Sequence, residues 1–139
     1  MTFEHVGRYS RIQPGSLLRA KSPGLRVDHW GIAGRSLDDG TPTVVHNTLA
    51  GVQVTCWEQF AAGRPVEVIW APESPQQQAA ALHRAYSQIG QPYNLFRANC
   101  EHFATWVVTG VPQSPQLRTY CGAALLALLP LVVCTLGRD

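Results

Sequence analysis

Along the first half of the chain, apolar positions alternate or come in short runs separated by turn residues, the pattern of strands. Gly15–Arg19 follows a Pro-Gly turn and reads as a short strand, and Leu25–Ala33 reads as a second one rich in β-formers. The run Leu37-Asp-Asp-Gly-Thr41 carries the Asp-Gly pair of a tight reversal, and β character resumes at Thr43. Val27–Ala33 and Thr43–Thr48 are therefore expected to form an antiparallel hairpin, with Val52–Thr55 continuing the sheet. Trp57–Ala62 reads as one or two helical turns stopped by Gly63, and Pro65–Trp70 returns to strand.

The second half changes period. Ser74-Pro-Gln-Gln77 combines a cap, a proline at the first helical position and a glutamine three residues after the cap. Ala79, Leu82, Tyr86 and Ile89 then repeat at helical steps until Gly90 and Pro92. A further helix is expected from Asn99, whose side chain caps the first turn, with Phe103, Trp106 and Val107 inward. Strands followed by helices make an α+β domain. Val111–Pro115 is linker-like, which divides the chain into a domain at 1–115 and a hydrophobic tail at 116–139. No charged residue occurs from Thr119 to Gly137, a run long enough at about 1.5 Å per residue to cross about 30 Å of hydrocarbon. Two readings follow for it: a membrane span, or a buried helix from Cys121 to Leu129 that ends at Pro130.

With 139 residues, 45% of them hydrophobic, the chain suits one core. A net charge of +2 with a single lysine, Lys21, argues against nucleic-acid binding. Met1–Arg11 is mixed polar and aromatic, so no export signal is read there, and a cytoplasmic location with membrane association through the C-terminal hydrophobic segment is expected. Cys56, Cys100, Cys121 and Cys134 form no CxxC pair and read as reduced thiols. Cys100 and His102 are too close for a usual zinc ligand pair, so neither metal nor cofactor is expected.

Cys100 stands out because a cysteine in the first turn of a helix meets free amides and the positive end of the helix dipole, which favour thiolate. As a nucleophile it needs an imidazole base, and the base needs an orienting partner. His29 shares a strand face with Val27 and Gly31, where the glycine leaves room for the helix carrying Cys100. His46 lies on the partner strand, and a reversal centred at Leu37/Asp38 sets the two histidines roughly opposite each other. Glu101 and His102 are candidates for tuning the site. His5 and His83 read as surface residues, and the other three cysteines as packing.

Tyr93–Phe103, with Asn-Cys-Glu-His-Phe at its end, resembles the NCEHF motif of the lecithin:retinol acyltransferase family. Asp28-His-Trp-Gly-Ile-Ala-Gly34 is similar to that family's H-box, and Val44-Val-His46 to the strand with its second histidine. Val27 and Ser16 stand where the family often has an aromatic and an acidic residue. The resemblance implies a circularly permuted papain-like fold with an antiparallel sheet and the nucleophile at a helix N-terminus. It implies Cys100 as nucleophile, His29 as general base and His46 as the group orienting it. The implied activity is removal of an acyl chain from a glycerophospholipid as a Cys thioester and its transfer to water, an amine or an alcohol. A phospholipid or other acyl-lipid substrate and a membrane surface are the implied partners. Two other functions share the pattern: a non-catalytic module of host or membrane interaction, as in some picornavirus non-structural proteins, and a cysteine peptidase or amidase.

Overall fold

A computed structural model describes residues 12–24, 27–92 and 100–110. Five strands and three helices occur among them: β1 (Leu17–Ala20), β2 (His29–Ala33), β3 (Thr43–Thr48), β4 (Gly51–Cys56), α1 (Trp57–Ala61), β5 (Val66–Trp70), α2 (Pro75–Ser87) and α3 (Cys100–Thr109). The strands form one antiparallel sheet in the order β4-β3-β2-β1-β5. The α+β class expected from the sequence is thus present, as is the hairpin of β2 and β3.

Helices cover both faces of the sheet. On one, α2 and α3 bury Ala81, Ala85, Phe103, Ala104 and Val107 against Leu17, Ile32 and Val45. On the other, α1 buries Trp57, Phe60 and Ala61 against Leu18, Ala20, Ala33 and Val44. Alternation along each strand makes this possible, since neighbouring side chains leave opposite faces. Burying both faces explains why β3 is enclosed from Thr43 through Asn47.

The start of α2 follows its sequence signature: Ser74 is extended, and its hydroxyl accepts from the Gln77 amide at 3.2 Å. The Gln77 side chain reaches back to accept from the Glu73 amide at 2.7 Å. The buried stripe of α2 keeps Leu82, with Tyr86 packed on the core, but differs from the expected one elsewhere. Ala81, Leu82 and Ala85 are buried, whereas Ala79 and Ile89 are exposed. Small alanines allow the close approach of α2 to α3 that a stripe of larger residues would prevent. In α3 the buried residues are Phe103, Ala104 and Val107, with Trp106 half-buried.

Attachment to a membrane through a C-terminal hydrophobic segment is corrected by the structure. Among the described residues no helix is long and apolar enough to cross a membrane. The longest, α2, has 13 residues and reaches about 20 Å at about 1.5 Å per residue, short of the roughly 30 Å hydrocarbon core. Both readings of 119–137, and the tail boundary at 116, lie outside the described residues, as do His5, Cys121, Cys134 and the Asn99 cap.

Candidate active site

The β2–β3 register decides how the two histidines meet. Gly31 faces His46, Ile32 faces Val45 and Ala33 faces Val44, so His29 lies diagonal to His46, not directly opposite. A two-residue offset keeps both side chains on one face, because the side-chain period of a strand is two. Diagonal neighbours are within reach of ring side chains, and His29 Nε2 lies 2.6 Å from His46 Nδ1.

Gly31 holds the space between them. A Cβ there would meet Val44 Cγ1 at 2.6 Å, Phe60 Cε2 at 2.8 Å and His46 Cβ at 3.2 Å. The glycine therefore makes room for Phe60 and His46 on the α1 face, and not for the helix carrying Cys100 as the sequence suggested. Phe60 is fully buried and packs on both imidazoles, with ring centroids 5.3 Å from each. Gly31→Ala is expected to lower stability by about 1–3 kcal/mol, read as a lower denaturant midpoint at unchanged slope. A neutral outcome would mean that Phe60 is free to move.

Cys100 approaches from the other side of the sheet. It is the first residue of α3, which packs on the face opposite the histidines, and its thiol reaches the end of β2. Odd-numbered residues of β2 turn their backbone groups to β1: the Ala33 amide donates to Ser16 O, and the Gly15 amide donates to Ala33 O. Asp28 and Trp30 therefore turn theirs toward β3, where the ladder stops at the Gly31–His46 pair. The Cys100 thiol occupies that end, donating to the Asp28 carbonyl at 3.9 Å, while the Trp30 amide donates to the sulfur. The sulfur thus packs on backbone immediately before and after His29.

Burial governs the charge state. It pushes the Cys100 thiol above its ordinary value, and the Glu101 carboxylate adds to the rise, against the lowering effect of the Trp30, Glu101 and Cys100 amides. Amides at the helix start do act on the sulfur, yet desolvation outweighs them, so the thiolate expected from helix position is not the resting form. Burial also pushes His29 down to about 4, assisted by the charges of His46 and Arg64, and His46 down to about 4, assisted by Arg64. Arg64 is held in place by donating to the Ala61 and Phe60 carbonyls at 3.0 Å each.

A pH dependence of stability follows. From the ordinary histidine value of 6.5 down to about 4, the unfolded chain binds more protons than the folded one. Stability is complete above pH about 6.5 and is lost as pH falls toward 4, at up to about 1.4 kcal/mol per pH unit for each histidine. Denaturant midpoints measured across this window should fall steeply for the wild type and less steeply for His46→Gln. Parallel slopes for the two proteins would rule out this origin.

Of the remaining sequence candidates, Glu101 is buried, His102 half-buried and His83 exposed. Cys56 lies at the start of α1, its thiol donating to Gln59 Oε1 at 3.5 Å. Phe60, Arg64 and Thr55, whose Oγ1 is 2.8 Å from His46 Nε2, were not singled out from sequence. The signal for Thr55 was present in strand alternation: once β3 and β4 pair across the Leu49–Ala50 turn, Thr55 shares the face of His46.

Comparison with known proteins reaches the same family as the motifs. The family described as Lecithin retinol acyltransferase matches residues 38–113, a span that contains His46 and Cys100 and begins after His29. Human lecithin retinol acyltransferase is 37% identical over 78 residues, covering 52% of this chain and 34% of that protein. The bovine protein of the same name is 35% identical over 78 residues with the same coverage. The chain therefore spans about a third of the length of these curated relatives. With more than half of its residues matched by the family, and the histidine pair and helix-start cysteine brought to one strand end, this chain belongs to the lecithin retinol acyltransferase family.

Proposed function

We propose that this protein is a thiol-dependent lipid acyltransferase or phospholipase on a circularly permuted papain-like domain, with Cys100 as nucleophile, His29 as general base and His46 orienting it. The observation that carries this reading is the 2.6 Å contact between His29 and His46 beside the strand end on which the Cys100 thiol packs. Family membership supports an acyl lipid as substrate.

Chemically, a neutral thiol and a neutral imidazole require proton transfer during attack and not a standing ion pair. His29 takes the Cys100 proton as sulfur bonds to the ester carbonyl carbon. Amides at the helix start and the Trp30 amide, already aimed at the sulfur, are the available donors to the developing oxyanion. The ester C–O bond then breaks, the imidazolium protonates the departing lysophospholipid oxygen, and an acyl-Cys100 thioester remains. Water, an alcohol or an amine next attacks that carbonyl, gives its proton to His29, and releases the thiolate, which is reprotonated.

Intact-protein mass after incubation with phosphatidylcholine vesicles tests the reading, with Cys100→Ala as control. A gain of one acyl chain in the wild type alone is expected. No gain, with the vesicles still bound, would overturn it in favour of a non-catalytic interaction module. Turnover of peptide amides in place of acyl lipids would point to a peptidase.

A further inference from the structure

Beyond the two histidines, a series of hydrogen bonds continues to the backbone. Thr55 Oγ1 lies 3.3 Å from the Cys56 carbonyl, His46 Nε2 lies 2.8 Å from Thr55 Oγ1, and His46 Nδ1 lies 2.6 Å from His29 Nε2. A backbone carbonyl has no proton to give. Every contact in the series is then a hydrogen bond in one direction only: Thr55 donates to the Cys56 carbonyl, His46 Nε2–H donates to Thr55, and His29 Nε2–H donates to His46 Nδ1.

The geometry points to Thr55 as a positioning residue that holds both imidazoles in the Nε2–H form and so leaves His29 Nδ1 as the nitrogen that accepts the Cys100 proton. This rests on the proposed role of His29 as base. Burial keeps both rings neutral, so each carries a single N–H and the direction of the series decides which nitrogen has the lone pair. In the reverse direction Thr55 donates to His46 Nε2, and His46 Nδ1–H donates to His29 Nε2. The proton of His29 then sits on Nδ1, and that nitrogen cannot act as a base. The reverse also forfeits the bond to the Cys56 carbonyl.

Strand register gives Thr55 this reach. Val44 faces Thr55 and His46 faces Gln53, so the short Thr55 side chain lies diagonal to His46 on the same face. Valine matches threonine in shape and lacks the hydroxyl, whereas serine keeps it.

Long-range ¹H–¹⁵N correlation spectra of the ¹⁵N-labelled chain report the tautomer of each histidine without substrate, and acylation kinetics on phosphatidylcholine vesicles report the consequence. In the wild type and Thr55→Ser, both imidazoles are expected as Nε2–H. In Thr55→Val, His46 should populate Nδ1–H, and the acylation rate should fall about five- to tenfold at every pH above the histidine range. The vesicle concentration giving half-maximal rate should not move, and Thr55→Ser should recover the rate. Wild-type tautomers in Thr55→Val, or equal rate losses in the serine and valine variants, would overturn the inference. If the wild type forms no acyl-enzyme, the proposed function fails, and the tautomers of Thr55→Val still decide the role of Thr55.

Discussion

On the proposed mechanism, Cys100→Ser is expected to lower the rate of acyl transfer by about 10⁴-fold or more while the protein remains folded, checked by single-turnover acylation and by denaturant unfolding side by side. Sulfur is an intrinsically better nucleophile than a hydroxyl, and His29, held near 4, is too weak a base to remove a much less acidic hydroxyl proton. The serine hydroxyl still meets the Asp28 carbonyl and the Trp30 amide, so the buried strand end keeps its polar partners. A serine variant that retained most of the activity would remove Cys100 from the mechanism. One that failed to fold would be replaced by Cys100→Ala, which leaves no side-chain polar group to satisfy.

The second large effect separates the two histidines. His29→Gln is expected to lower the acylation rate by about 10³- to 10⁴-fold, since an amide moves no proton. His46→Gln is expected to cost only about 10- to 10²-fold, because a side-chain carbonyl can still accept from His29 Nε2–H and hold the ring. Both residues lie under Phe60, so packing losses should be similar and the difference should appear in rate and not in stability. Equal rate losses would mean that the pair shares the proton and that neither ring has a separate role.

Parts of this site were legible in the residues themselves. A cysteine at a helix start, two histidines on strands joined by an Asp-Gly reversal, and the Ser74-Pro75 helix entry are local signals, set by backbone preference and short-range hydrogen bonding. Alternation along β2 and β3 also placed His29 and His46 on one face, and a two-residue error in register preserved that result.

Other features arose only when the elements packed. Gly31 was visible as a place of close approach, yet which neighbour fills it depends on which helix covers that face, and Phe60 of α1 does so. The phase of α2 was legible only in part: Leu82 is buried and Tyr86 packs on the core as the period predicts, but alanine is compatible with either side of a helix until a partner selects one. Helix position alone argued for a thiolate at Cys100, a local electrostatic effect. Its raised pKa came from burial against the sheet, a property of surrounding volume that no short stretch of residues encodes. Residue chemistry and local spacing thus picked out the candidate groups, whereas register and burial decided their contacts and the direction in which their pKa values move, because those depend on distances between segments far apart in the chain.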